Sequence, residues 1–220
     1  MLAGELNKNL IPQLKPDDTV AKALQLIADY KVSHLPVVSE DKYLGLISEE
    51  DLLDAEDVKL PIQALQNDFV PASIRSSDHF IHAVNISNQY QTNVVPIINE
   101  AQQLVGTITA QTLLETLAIF SGAQDPGGII VLEMEKTQFS ISEISRIVES
   151  NDATIIHLNT MTGPLNGMLN VTIQINKKEL SVIIASFKRY EYDVIYYFGE
   201  EKFESQIDTN YQNLMNYLEI

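Results

Sequence analysis

Two short stretches of the sequence place a hydroxyl residue and a second polar residue three positions apart, directly after an apolar run. In the first, Ser48 is followed by Asp51; in the second, Thr109 is followed by Thr112. A hydroxyl at a helix start lies among unpaired N–H groups that favour phosphate, and a carboxylate can accept hydrogen bonds from two neighbouring hydroxyls. The same residues also suit a structural role, with the hydroxyls as helix caps and the acid stabilised by the helix dipole. The local sequence leaves both interpretations open.

Both stretches belong to a tandem repeat in the first half of the chain. A shift of 60 residues places Pro36 on Pro96, and one extra residue in the second copy then places Gly45 on Gly106. Self-similarity of this kind indicates two copies of one structural unit. The predicted units cover residues 1–59 and 60–121.

Each repeat predicts the order β-α-β-β-α. In the first, Asp18 is expected to cap a helix, and the hairpin is expected over residues 35–47. Such a unit exposes an apolar sheet face, so the two units are expected to pack as a pair. The apolar stripe of the first helix has the spacing of one buried face, at Val20, Ala23, Leu24, Ile27 and Ala28.

The repeats resemble the cystathionine-beta-synthase (CBS) domain, which occurs in tandem pairs. The resemblance rests on the apolar-Pro-apolar-apolar strands at residues 35–38 and 95–98. It also rests on the motif Gly-apolar-apolar-Ser/Thr-x-x-Asp, here called the step, which begins at Gly45 and returns in a variant form at Gly106. The resemblance implies that an adenosine compound binds in the cleft between the units. The Asp of the step would then accept hydrogen bonds from the ribose hydroxyls. Ser48 and Asp51 match that step, whereas the second repeat matches it only at Thr109. One principal ligand per pair is therefore expected.

The basic residues restrict which ligand is expected. Arg75 is the only Lys or Arg between Lys59 and Lys136, and Lys15 occupies the matching position in the first repeat. Either could approach a phosphate, although exposed basic residues at strand ends are usually only solvated. AMP, adenosine or S-adenosylmethionine is thus favoured over ATP.

The first helix of the second repeat is more polar than its counterpart. Ser87 and Asn88 replace Ile27 and Ala28 on its inner stripe. Either this face lines a wet cleft, or the helix is rotated.

The second half predicts a different domain. After a turn-rich linker at 122–127, residues 128–199 predict the order β-α-β-β-α-β, a ferredoxin-like arrangement in an α+β chain. Ser140 with Glu143 is expected to cap the first helix, and Asn176 with Glu179 the second. The domain resembles ACT-type regulatory domains, but residues 135–140 lack the Pro-Gly pair of those that bind a ligand, so an association surface is expected.

Residues 200–220 predict a terminal helix. Its apolar positions are spaced four, four, three and four residues apart, and such a stripe must be covered, either by its own domain or by another subunit. These positions are Phe203, Ile207, Tyr211, Leu214 and Leu218.

Composition excludes several classes of partner and site. A net charge of -16 repels nucleic acid and anionic lipid, and the absence of cysteine excludes thiolate catalysis and sulfur-ligated zinc. No apolar run is long enough to cross a membrane, so a cytoplasmic protein is expected. His79 and His82 follow Asp78 at a spacing that could hold a metal, but a capped helix start is favoured. His34 suggests packing or local hydrogen bonds.

These observations together predict a non-catalytic regulatory protein. The ACT-like domain is expected to help assemble a homodimer, and without a catalytic domain the output is expected to pass through another protein. The order of a CBS pair and an ACT-like domain is similar to acetoin-utilisation B-type regulatory proteins. A purely structural association module without a ligand is the alternative. An enzyme is disfavoured because no nucleophile-base pair, phosphate loop or metal cluster is evident.

Overall fold

The computed structural model describes residues 1–7, 11–164 and 166–199. The chain divides into two compact units, residues 1–117 and 118–220. Within the described residues, no helix combines the length and the apolar character needed to cross a membrane. The terminal helix predicted over 200–220 lies outside the described residues.

The first repeat contains two helices on either side of a hairpin in the chain. Helix α1 (Val20–Tyr30) leads into strand β1 (His34–Ser39), which pairs antiparallel with β2 (Lys42–Ser48). Helix α2 (Glu49–Leu53) follows and is only five residues long. Leu14 forms an isolated parallel bridge to β1, in the place of the predicted first strand.

The second repeat has the same order of elements. Strand β3 (Ile74–Arg75) pairs parallel with β4 (Val94–Ile98), and β4 pairs antiparallel with β5 (Leu104–Thr109). Helix α3 (Phe80–Gln89) lies between β3 and β4 in the chain, and α4 (Ala110–Phe120) follows β5. Helix α4 has eleven residues and is thus longer than its counterpart α2.

The predicted cap of α1 is wrong by one residue. Thr19 is the N-cap, and its Oγ1 accepts from the backbone N of Lys22 at 3.2 Å. Asp18 instead closes the preceding turn by accepting from Lys15 N at 2.9 Å, and it pairs with Lys22 Nζ at 2.6 Å. Of the predicted stripe, Leu24 is only half-buried and Ala28 is exposed.

The two repeats exchange short segments. The 3-10 turn Ala3–Leu6 belongs to the predicted first unit, yet Ala3 and Leu6 lie in the core of the second repeat, with Phe80. Ile62 belongs to the predicted second unit, yet it lies in the core of the first repeat. Each repeat therefore completes its core with a short segment from the start of the other predicted unit.

The second unit is a four-stranded antiparallel sheet with two helices. The strand order is β7-β8-β6-β9, so the first strand of the unit lies between its third and fourth. One face of the sheet packs on both helices in a continuous apolar core. The elements are β6 (Gly128–Met134), α5 (Ile141–Glu149), β7 (Ile155–Thr162), β8 (Leu169–Ile175), α6 (Ser181–Arg189) and β9 (Asp193–Phe198).

One of the two predicted caps in this unit is present. Ser140 is the N-cap of α5, and its Oγ accepts from Glu143 N at 3.4 Å. The prediction for α6 is wrong, because its N-cap is Leu180, which offers no side-chain bond. Asn176 Oδ1 instead accepts from Thr154 N at 2.8 Å, and Glu179 accepts from Ser181.

Candidate functional site

Ser48 and Asp51 form a hydrogen-bonded pair where β2 meets α2. Ser48 Oγ accepts from Asp51 N at 3.0 Å, which caps α2, and it donates to Asp51 Oδ2 at 2.5 Å. Both side chains are half-buried. Because Ser48 occupies one carboxylate oxygen, Oδ1 is the oxygen that could accept from a ligand hydroxyl. The cap thus also orients the carboxylate, so the structural and ligand-binding roles are compatible.

Gly45, four residues after the hairpin turn, allows another segment to approach β2 closely. A Cβ at Gly45 would lie 2.9 Å from Phe69 Cβ and 3.1 Å from Val70 O. Val70 forms two backbone hydrogen bonds with Leu46, each 2.9 Å long. The glycine of the step therefore serves the packing of the segment that links the repeats.

His34 joins the same cluster through the strand register. It lies opposite Ser48, and its Nδ1 is 2.9 Å from Ser33 Oγ. Asn93 Oδ1 accepts from Ser33 N at 2.8 Å and lies 3.0 Å from Ser33 Oγ, which in turn accepts from Asn93 N at 3.2 Å. Ser33 and Asn93 are equivalent under the 60-residue shift. Their hydrogen bonds consequently join the two repeats at matching positions.

The electrostatics of His34 reflect its surroundings. Burial lowers its pKa, because the charged imidazolium is disfavoured away from water, and the negative charge of Asp51 opposes part of this shift. The side chain is 8% exposed. At neutral pH the cluster therefore offers a carboxylate, a hydroxyl and a neutral imidazole.

Sequence reasoning interpreted His34 only as a packing or hydrogen-bonding residue and did not single out Ser33 or Asn93. The usable signal was the alignment of two polar residues, Ser33 and Asn93, directly before the matching apolar strands.

The second repeat keeps the backbone arrangement of the step and lacks its acid. Thr109 Oγ1 accepts from Thr112 N at 3.2 Å and lies 3.1 Å from Thr112 Oγ1. Thr112 is 5% exposed, and Thr116 Oγ1 donates to its carbonyl at 2.7 Å. Val94 lies opposite Thr109, where the first repeat has an imidazole opposite its hydroxyl. This end consequently has neither the carboxylate nor the imidazole of the first.

Within each repeat, the structure separates the basic residues from the hydroxyl steps. Arg75 pairs with Ile98, the last residue of β4, and Lys15 occupies the equivalent position beside β1. Thr109 and Ser48 pair with the first residues of the same two strands. Four residues of strand span about 13 Å. Lys15 and Arg75 therefore lie at the opposite end of each hairpin from the step of their own repeat.

Ser87 and Asn88 line a groove between α3 and α4. The buried residues Phe80 and Ala83 occupy the positions that are buried in α1, so the helix is not rotated and its two polar residues face the groove. The groove has a volume of about 610 Å³. Its other lining residues are Ser33, Val84, Gln91, Thr92, Asn93, Ala110, Leu113, Leu114 and Leu117.

The pair of histidines in the second repeat begins a helix. His79 is the N-cap of α3, and its Nδ1 accepts from Ile81 N at 3.4 Å. Across residues 1–7, 11–164 and 166–199, no group of three or more His, Asp or Glu side chains is placed to hold a metal ion. The bond from Ile81 N shows a capped helix start, with His79 as the cap.

Comparison with known proteins identifies the first repeat. Residues 4–57 match the CBS domain family. Residues 4–57 are a CBS domain. Its step from Gly45 to Asp51 and the paired strands β1 and β2 lie within the matched residues.

A solved structure extends the comparison to more than half of the chain. The chain is similar to a CBS domain pair/ACT domain protein from Thermotoga maritima, with 22% identity and a TM-score of 0.50. The match covers 55% of this chain and 98% of that one. At this identity the likeness shows the fold, which is that of a CBS pair.

Two curated relatives are similar to this chain over part of their length. Inosine-5'-monophosphate dehydrogenase of Bacillus subtilis is 24% identical over 77% of this chain and 36% of its own length. Homoserine O-acetyltransferase of Methanobrevibacter ruminantium is 27% identical over 54% of this chain and 24% of its own length. The chain thus spans about a third or less of these relatives.

Proposed function

We propose that this CBS-domain protein is a non-catalytic regulator whose CBS pair binds an adenosine compound at the first repeat. The observation that carries the proposal is the Ser48–Asp51 pair, which fixes one carboxylate oxygen and leaves the other to accept from a ribose. A carboxylate suits this task because it accepts hydrogen bonds only, and a ribose presents two neighbouring donors. His34, opposite Ser48 in the strand register, adds a neutral ring beside the same pair.

The charge of the site favours a ligand with few phosphates. Asp51 is negative, and the pKa of His34 is lowered by burial, so the cluster carries no cation at neutral pH. Lys15 and Arg75 lie at the far ends of their hairpins. Adenosine, S-adenosylmethionine or AMP therefore fits better than ATP, whose triphosphate would need more positive charge than these residues supply.

We expect one principal ligand per CBS pair. The second step offers Thr109 and the buried Thr112, and neither hydroxyl can replace a carboxylate that accepts from two donors. Both steps cap their helices in the same way, so the difference between them is chemical and does not come from the backbone.

The second unit provides association in this proposal. Its β-α-β-β-α-β order and its β7-β8-β6-β9 sheet have a ferredoxin-like arrangement, which supports the proposal of an ACT-like domain. Residues 135–140 lack Pro and Gly, so the domain serves a homodimer contact instead of a ligand site. Ligand binding would favour one arrangement of the CBS pair and so alter the surface that an effector protein recognises.

Calorimetry tests the proposal directly. The full chain is titrated with adenosine, AMP, S-adenosylmethionine and ATP, and the best ligand is repeated with Asp51→Ala and Asp51→Asn. Loss of a charged acceptor for two hydroxyls should weaken binding by more than tenfold, which is about 1.4 kcal/mol. Asp54→Ala, an acid at the other end of α2, is the matched control and should bind as wild type.

Two results would oppose the proposal in different ways. If none of the four compounds produces heat or raises the melting temperature, the chain is a structural association module, and the Ser48–Asp51 pair is only a helix cap. If a compound binds but Asp51→Ala changes its affinity by less than about 1 kcal/mol, the ligand is held elsewhere.

A further inference from the structure

The sheet of the second unit has one face packed on α5 and α6 and one open face. On strands β6 and β8 every second residue is buried against the helices, and the residues between them point to the open face. Cross-strand partners share a face, and the register places His157 opposite Gln174 and Asn159 opposite Thr172. Polar side chains of two neighbouring strands therefore lie next to one another on the open face.

The segment that precedes β6 runs over these polar residues. Gln174 Nε2 donates to Gly122 O at 2.7 Å and to Asp125 O at 3.4 Å. Gly122 has a φ of +68°, which glycine adopts without strain. At the other end of the segment, a Cβ at Gly127 would clash with Ile175 O. The backbone of the segment is therefore held close to the sheet at both ends.

This segment and the sheet form a cavity of about 490 Å³. Its wall comes from residues 121–127, and its floor comes from open-face residues of β6, β7 and β8. Phe120 packs edge-on to His157 with ring centroids 6.0 Å apart, which positions the imidazole on the floor. The volume lies in the range of small-molecule sites in proteins. The floor residues are Ile129, His157, Asn159, Thr172 and Gln174.

Two acceptor oxygens of the cavity lie close together. Because Gln174 Nε2 donates to Gly122 O, Oε1 is the side-chain atom of Gln174 that can accept. A Cβ at Gly122 would lie 3.6 Å from this Oε1 and 3.3 Å from Asp125 Oδ2. One small ligand can therefore contact both oxygens.

The charge of the lining favours a cation. No Lys or Arg is among the described residues that line the cavity, and Asp125 supplies a negative charge. The whole chain carries a net charge of -16, which attracts cations and repels anions. An alkylammonium group matches such a lining, because it is positive and donates three hydrogen bonds, as the ammonium of lysine does. Ala123 and Ile129 supply apolar surface for the alkyl chain.

We propose that this cavity binds a small primary alkylamine, with its ammonium group on Asp125 Oδ2 and Gln174 Oε1. The alkyl chain then lies on Ile129. Asn159 and Thr172, one row further along the sheet, can hydrogen-bond a polar group at the other end of the ligand.

The amine site is separate from both parts of the proposed function. It does not involve the first repeat, where the adenosine compound is proposed to bind. It lies at the start of β6, whereas the loop of residues 135–140, on which the association role is argued, follows the end of that strand. The second unit therefore combines association with recognition of an amine.

Three probes of equal length separate the effect of charge from that of shape. Aminobutanol, butanediol and hydroxybutyrate each carry a hydroxyl at one end of a four-carbon chain, and they differ in the group at the other end. Each is titrated into the isotope-labelled full chain, and the chemical shifts of the backbone amides are followed. We expect aminobutanol to bind with a Kd on the order of 1 mM and to shift the amides of Gly122, Asp125 and Gln174 most. Butanediol should bind about fivefold more weakly, and hydroxybutyrate more weakly still, because Asp125 repels its carboxylate.

A matched pair of variants tests the carboxylate. Asp125→Asn keeps the size of the side chain and an acceptor but removes the charge, so aminobutanol should bind about fivefold more weakly and butanediol as before. Asp152→Asn removes a charge from another exposed turn of the same unit, and asparagine tolerates the positive φ of that position. Its affinity for aminobutanol should lie within about twofold of wild type.

Three results would overturn the proposal. Equal affinities of the wild-type chain for aminobutanol and butanediol would show that the cavity does not recognise the charge. An equal loss of affinity in Asp125→Asn and Asp152→Asn would show that the net charge of the chain attracts the amine. Chemical shifts that change only outside the cavity, or that do not saturate at about tenfold the expected Kd, would show that the amine is not held here.

Discussion

The hydrogen bonds between Ser33 and Asn93 make a quantitative prediction about how the two repeats are held together. In Asn93→Ala, three side-chain bonds disappear: two at Oδ1, from Ser33 N and Ser33 Oγ, and one from Nδ2 to Lys31 O. Lys31 is exposed, so water replaces the last bond at little cost. The first two lie in a half-buried place, where each neutral bond contributes about 1 kcal/mol. We expect a loss of about 2 kcal/mol in the free energy of unfolding.

A conservative variant and a nearby control sharpen this expectation. Asn93→Asp keeps an oxygen that can accept from both Ser33 donors, so it should lose less than about 1 kcal/mol of the free energy of unfolding. Asn88→Ala changes an amide on the exposed side of α3 near the same groove, and alanine is a better helix former, so its stability should be unchanged or slightly higher.

Hydrogen exchange of peptides from residues 1–117, measured against urea, reports the stability of the first unit separately. In a double-mutant cycle with Ser33→Ala, the coupling energy should be about 1 kcal/mol or more, because the two side chains contact directly. The reasoning fails if Asn93→Ala lies within about 0.5 kcal/mol of wild type, or if the aspartate variant is as unstable as the alanine variant.

Two further changes test other parts of the first unit. Gly45→Ala should lower the free energy of unfolding by about 2 kcal/mol or more, because its Cβ would meet the backbone-anchored Phe69 and Val70. Gly106→Ala should cost less, because only the side chain of Asn7 must move. Equal urea midpoints for the two variants would contradict this explanation. Because burial lowers the pKa of His34 in the folded chain, the unfolded chain takes up a proton at a higher pH than the folded chain does. The contribution of the neutral His34 ring to the free energy of unfolding is therefore complete above about pH 6.5, and it is lost as the pH falls towards the folded pKa. Urea unfolding at pH 7 and pH 5 should therefore show a smaller difference for His34→Gln than for wild type, and no such change for the exposed His82→Gln.

Periodicity and the repeat predicted much of the fold because both are local properties of the sequence. The hairpin over residues 35–47, the Ser140 cap and the order of the six elements after residue 128 each depend on residues close in the chain. The cap of α1 was missed by one residue, since Asp18 and Thr19 both suit the position, and only the turn that Asp18 closes with Lys15 N decides between them.

The exchanged segments and the link between the repeats could not be predicted in this way. Ala3 and Phe80 are distant in sequence, and nothing local to residues 3–6 indicates which core they enter. At the candidate site, the sequence identified the chemical difference between Asp51 and Thr112. It did not identify His34 as a neighbour of Asp51, because that depends on the register that places His34 opposite Ser48.

The Ser33 hydroxyl connects the proposed ligand site to the groove of the second repeat. It carries a single hydrogen and has two acceptors within reach, Asn93 Oδ1 at 3.0 Å and, in one tautomer, His34 Nδ1 at 2.9 Å. A ligand at Asp51 that bonds to the imidazole selects one tautomer of His34 and so selects the direction of the Ser33 hydrogen. Asn93 then gains or loses one of its two donors, and Asn93 lines the α3–α4 groove. Under the proposed function, binding at the first repeat would thus change the hydrogen bonding of Asn93 in the second, and this change would couple the two repeats if their packing depends on that bond.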